Sequence, residues 1–214
     1  MTFGRRGSNR VRSRKASQRG LPTIRCAMPI RPLPDLLEGD GRTRRRFDGR
    51  PAEILGQDGE PFRPRVGINP FAIDANGEWL YFGPMTGETM YRIHTADQRD
   101  PGLDRAQLSD RVERYADKPI GDGISVDVAG NIYISAITDH AIGVIGTDRR
   151  YEVLFEDDER LLWPDAFSYG PDGKMYVVAN QLHLGPVLNA GEDETKPPYY
   201  ILRFKPQAPG TVGR

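Results

Sequence analysis

From residue 65 onward, short apolar runs alternate with turn-forming clusters at a regular interval. Within those runs the pattern fits strands rather than helices. Residues 121–145 (GDGISVDVAGNIYISAITDHAIGVI) show it most fully. A short apolar stretch, ISV, leads to the turn Ala129-Gly130-Asn131, then to the β-branched and aromatic run IYISAI. A second turn at Thr138-Asp139-His140 precedes a third run, AIGVI. Residues 67–93 and 163–183 repeat the opening of that order. Aligned on Asn69, Asp122 and Asp165, each copy has a glycine eight residues later: Gly77, Gly130 and Gly173. A tyrosine follows each glycine, at Tyr81, Tyr133 and Tyr176. Glycine at that place supplies the positive φ that a tight hairpin turn demands.

Residues 151–155 and 200–204 add further strand-like runs, and the anchors lie 53 and 43 residues apart. Four short strands per roughly 40–50-residue repeat is the sequence form of a β-propeller blade. The expected fold is therefore all-β, a partial propeller of about three blades. The longer first interval has a visible cause: residues 101–116 place Leu103, Leu108, Val112 and Tyr115 near helical spacing. That spacing predicts a short surface helix inserted between two blades.

Charge divides the chain. Its 30 Lys+Arg balance its 30 Asp+Glu, yet residues 1–50 hold 14 bases against four acids, and residues 51–214 hold 16 bases against 26 acids. Residues 1–34 contain no acid at all. An Arg- and Ser-rich, acid-free start has the composition of a transit peptide, but Gly4, Gly7 and Gly20 oppose a helix there. No apolar stretch of signal-peptide length follows the charges. An RNA-binding arm lacks interleaved aromatics beyond Phe3, so no nucleic-acid partner is expected. The plain expectation for residues 1–46 is a basic disordered arm, translated from upstream of a start at Met28 or later. Residues 207–214 are expected as a C-terminal tail. The single cysteine, Cys26, excludes an intramolecular disulfide, and no run reaches the length of a membrane span.

Several blocks in order, GINPFAID, DGISVD with GNIYIS, LLWPDAFSYGPDGKMYVVANQLH and PPYYILRF, resemble the Yellow/major royal jelly protein family over residues 47–206. The resemblance implies a six-bladed propeller, of which about three blades fit in this chain. That leaves three expectations: a homodimer closing one ring, a marginal half-ring, or a fragment of a longer gene. It also implies a small-molecule ligand and an exported protein, extracellular or periplasmic, although no signal is seen here.

The anchors Asn69, Asp122 and Asp165 stand where innermost strands begin, so their oxygens would converge at a channel mouth. The alternative is that each caps its own turn. Asn180 and His183, at the end of the third copy, join them as candidate ligand-binding residues, with His183 able to act as acid or base near neutral pH. The more distant resemblance is to gluconolactonase/regucalcin propellers, which hold a divalent metal through an Asn-Gly and a later Asp-Gly. It makes Asn69 and Asp122 candidate ligands for Ca²⁺ or another divalent metal. Pro70 departs from that pattern, and an N-terminal carboxylate has no counterpart. Three functions follow: a small-ligand binder; a metal-assisted lactone hydrolase or tautomerase-like enzyme; or a scaffold without chemistry.

Overall fold

The computed structural model describes residues 65–214, residues 59–60, and the backbone of four two-residue strands: β1 (Arg46–Phe47), β2 (Arg50–Pro51), β3 (Ile54–Leu55) and β4 (Pro61–Phe62). β1 pairs with β2 and β3 with β4. Of the basic arm expected over 1–46, all but Arg46 lies outside the described residues, Cys26 included.

Three antiparallel sheets follow in chain order. Blade 1 comprises β5 (Ile68–Ile73), β6 (Trp79–Pro84), β7 (Thr89–His94) and β8 (Glu113–Asp117). Blade 2 comprises β9 (Gly121–Val126), β10 (Ile132–Ala136), β11 (Ala141–Ile145) and β12 (Tyr151–Glu156). Blade 3 comprises β13 (Trp163–Tyr169), β14 (Met175–Asn180) and β15 (Tyr200–Phe204), three strands among the described residues. The first strands of successive blades lie side by side, β5 against β9 and β9 against β13. Meandering sheets joined through their first strands form the arc of a propeller.

Burial explains the apolar runs. Every residue of β10 and β11 is buried, because blade 2 is sandwiched on both faces. Ile132, Ile134 and Ile145 pack toward blade 1, against Tyr81, Met90, Tyr115 and Ala116. Tyr133 and Val144 face blade 3, against Tyr169 and Met175, while Ile142 meets Val177 and Ala179. The three turn glycines adopt φ of 74° (Gly77), 87° (Gly130) and 72° (Gly173), as their spacing predicts.

The helix expected over 101–116 is shorter and displaced. Two one-turn helices, α1 (Thr95–Arg99) and α2 (Arg105–Ser109), join β7 to β8. Asp104 and Gln107 cap α2 reciprocally through side chain and backbone. Tyr115 instead enters β8 and is 7% exposed in the blade 1–blade 2 core. Burial of a large aromatic outweighs its helical spacing. Residues 207–214 run back across the far end of the arc. Val128 donates to the Pro209 carbonyl at 2.8 Å, and Val212 bridges Tyr169 in parallel.

Candidate functional site

Each innermost strand is broken at its start by the same irregularity. In blade 1, Asn69 and Pro70 face the single residue Gly83, between the pairs Ile68–Pro84 and Phe71–Phe82. In blade 2, Asp122 and Gly123 face Ser135, between Gly121–Ala136 and Ile124–Ile134. In blade 3, Asp165 and Ala166 face Val178, between Pro164–Ala179 and Phe167–Val177. Two residues opposite one is a β-bulge, which bends the strand and re-aims a side chain. The first bulge residue is in every case the anchor read from the sequence. Pro70 and Gly123, second in their bulges, are residues that rarely sit in a regular inner strand, and that was the available sequence signal.

Local chemistry suits the distortion. Ser135 serves the blade 2 bulge directly: its hydroxyl accepts from the Gly123 N–H at 2.7 Å and lies 3.3 Å from the Gly123 carbonyl. A Cβ on Gly123 would collide with the backbone carbonyl of Asp165, so glycine lets β9 and β13 approach here. Opposite the blade 1 bulge, Gly83 leaves room for the stem of Lys118, whose ammonium is buried and donates to the carbonyls of Gly87 at 2.6 Å and Pro119 at 3.0 Å. Burial pulls that amine down to about 7, against the opposing pull of Glu88.

The bulge side chains meet across blades. Asn69 donates its amide N–H to Asp122 at 2.5 Å, and the indole N–H of Trp163 donates to the other oxygen of Asp122 at 2.8 Å. Asp122 thus joins blades 1, 2 and 3. Asn180 donates to Asp165 at 3.2 Å. Burial, and then the charge of Asp122, raise the Asp165 carboxyl above its ordinary value. Two carboxyl groups and two amides therefore converge at one end of the arc.

His183 takes a different place. It is 5% exposed and stacks on the Trp163 ring with centroids 5.8 Å apart, in a short 3₁₀ turn, Leu182–Leu184. His140 lies 6.3 Å from it, ring to ring, and pairs with Asp158 at 3.1 Å. The structure brings Asn69, Asp122, Asp165 and Asn180 to the bulges and sets His183 against Trp163. Trp163 itself, 1% exposed, packs with Met85, Ile120 and Ile137 while its N–H fixes Asp122. Its sequence position before Pro164 gives no sign of that hydrogen bond.

A divalent metal fits this group poorly. Ca²⁺ takes six to eight oxygens, whereas both Asp122 oxygens already accept N–H donors. No group of three or more His, Cys, Asp or Glu with metal-site geometry exists among the described residues. Nor, among them, is any helix long and apolar enough to cross a membrane.

Comparison with known proteins gives one family and several similar structures. The sequence profile described as "Major royal jelly protein" matches residues 47–200. No curated protein sequence matches the chain. Among solved structures it is similar to a luciferin-regenerating enzyme, at 14% identity and TM-score 0.47 over 74% of this chain and 52% of that one. It is similar to regucalcin, a calcium-binding protein from Agrobacterium tumefaciens, at 17% identity and TM-score 0.46, over 75% and 59% of the two chains. A gluconolactonase from Xanthomonas campestris matches at 15% identity and TM-score 0.47, over 66% and 44%. The chain spans about half the length of these structures, between 44% and 59%.

Proposed function

This chain belongs to the major royal jelly protein family, and from that premise we propose that it binds a small cationic ligand, an organic amine, at its three bulge residues. The observation that carries the reading is the recurrence of one bulge in three blades, each presenting Asn69, Asp122 or Asp165. A repeat that needed only hairpins would pair regularly there. Two carboxyl groups held at one site favour a cation, and an ammonium with three donors asks for fewer acceptors than the six to eight oxygens of Ca²⁺. Binding of a cation draws Asp165 toward its charged form, so affinity rises with pH through the raised ionisation of that group.

Calorimetric titration of phenethylamine and, separately, of CaCl₂ into the full chain tests this. We expect phenethylamine to bind, and Asp122→Asn to weaken it at least tenfold. Binding of Ca²⁺ alone would overturn the reading in favour of the metal-assisted lactone hydrolase or tautomerase-like alternative. Closure of one ring by two copies, surrounding a channel with six bulge residues, is the accompanying proposal. Light scattering checks it by the solution mass. An exported location, extracellular or periplasmic, goes with the same proposal.

A further inference from the structure

Asn69 and Asp122 belong to different blades, and the β6–β7 turn, residues 85–88, ties their strands together through one residue. Met85 donates its N–H to the Gly67 carbonyl at 2.9 Å, two residues before Asn69. Its own carbonyl accepts from the Gly121 N–H at 3.2 Å, one residue before Asp122. The Met85 sulfur accepts from the Asn69 amide at 3.8 Å. The same side chain packs with Trp163, the second donor to Asp122. A shift of this turn therefore moves both anchors.

Two residues hold the turn from behind. The Thr86 hydroxyl accepts from the Val66 N–H at 3.2 Å and donates to the Val66 carbonyl at 3.1 Å. Lys118 holds the other half: its backbone N–H donates to the Glu88 carbonyl at 2.9 Å, and its ammonium to Gly87 at 2.6 Å. The ammonium also donates to Pro119, so one side chain joins the turn to the connection that leads into β9. Lys118 is 3% exposed, and among the described residues Glu88 is the charged group that acts on it. Hydrogen bonds from a charged donor are roughly twice as strong as those from a neutral one. This amine gives up its proton at about 7, so the grip on the turn changes within the neutral range.

We propose that Lys118 is a positioning residue of the bulge site: its ammonium clamps the β6–β7 turn, and through it holds Asn69 and Asp122 in the arrangement that binds an amine. The lysine acts without touching the ligand. This rests on the amine reading of the bulge residues and adds its regulation by pH. Protonation of Lys118 tightens the clamp, so its contribution to affinity is full on the acid side and fades on the alkaline side. Direct repulsion between the two cations has the opposite sign, and the Gly87 and Pro119 carbonyls and Glu88 offset it.

The test titrates phenethylamine by calorimetry into the full chain and into Lys118→Met, at pH 6 and pH 8.5, on either side of about 7. The ratio of the two affinities isolates the lysine, because the trend set by Asp165 is common to both proteins and cancels. We expect the parent to bind about fivefold more tightly at pH 6, and the ratio to fall toward one at pH 8.5. Lys118→Gln, neutral at every pH yet still an N–H donor, should give the same trend with a smaller ratio, and it carries the test if the methionine variant does not fold. Lys174→Met, at an exposed turn, should match the parent at both values. A ratio that is the same at both pH values would reduce Lys118 to a structural role, and tighter binding by Lys118→Met at pH 6 would mean that repulsion wins. Either result overturns the clamp and leaves the amine reading standing. No binding of phenethylamine by the parent would overturn the amine reading, and the clamp's role in it.

Discussion

Asp122 and Asp127 stand five residues apart, at the two ends of β9, and their surroundings differ in kind. Asp127 is 1% exposed and is served by its own hairpin. It accepts from the backbone N–H of Ala129 and Asn131, from the Asn131 side chain at 2.8 Å, and from the Tyr133 hydroxyl at 3.1 Å. Asp122 takes its two donors from Asn69 of blade 1 and Trp163 of blade 3. One carboxylate closes a turn that would exist without any neighbour. The other has no role in its own hairpin and is held by side chains that arrive only when blades dock. Identical residues in one strand thus serve folding at one end and a site at the other.

Truncating both residues measures the difference. Asp127→Ala leaves four buried or half-buried donors without an acceptor, and we expect it to cost about 3–5 kcal/mol in urea unfolding. Asp122→Ala should cost about 1–2 kcal/mol while abolishing amine binding. Equal losses of stability would break the comparison.

Lys118, buried behind the blade 1 bulge, sharpens it through pH. Its folded-state amine gives up its proton near 7, while the unfolded chain keeps it to about 10.5. Between those values the unfolded state holds the extra proton, so stability rises with pH across that window. Lys118→Met should flatten the rise by about 1 kcal/mol per pH unit within that window, read as melting temperature against pH. An unchanged slope would show that the amine is better solvated than its burial implies.

Asp165 gives the smallest effect. Its carboxyl is raised in the folded state, so stability falls as pH climbs from the ordinary carboxylate value through the raised one. Asp165→Asn removes that fall and can still accept from Asn180. The variant should match the parent near pH 3 and exceed it slightly at neutral pH, by less than about 1 kcal/mol. A variant less stable than its parent at neutral pH would mean that Asp165 supports the blade rather than a ligand.

Most of the architecture was legible in the sequence because blade 2 is buried on both faces. IYISAI and AIGVI then read as uninterrupted apolar runs, and the turn glycines mark where each hairpin reverses. Tyr115 was misread because helical spacing is a local property and its burial is not. The anchors were found as repeat positions, yet whether they capped turns or converged depended on strand pairing. A bulge exists only between two strands, so Asp122 and Asp127 look alike until β9 is paired with β10. Trp163 hides its role for the same reason, since its acceptor lies 41 residues away.

The segment 207–214 adds a consequence in time. Gln207 donates its N–H to the Tyr133 hydroxyl at 2.6 Å, across 74 residues of sequence. On a ribosome adding roughly 5–20 residues per second, those residues take about 4–15 s to appear. During that interval the hairpin of Tyr133 is complete, but its outer partner has not been made. Asp127 is already there, six residues before the tyrosine, to accept the hydroxyl proton. The nascent blade can wait with this buried hydroxyl bonded, and residues 207–214 then join blade 2 to blade 3.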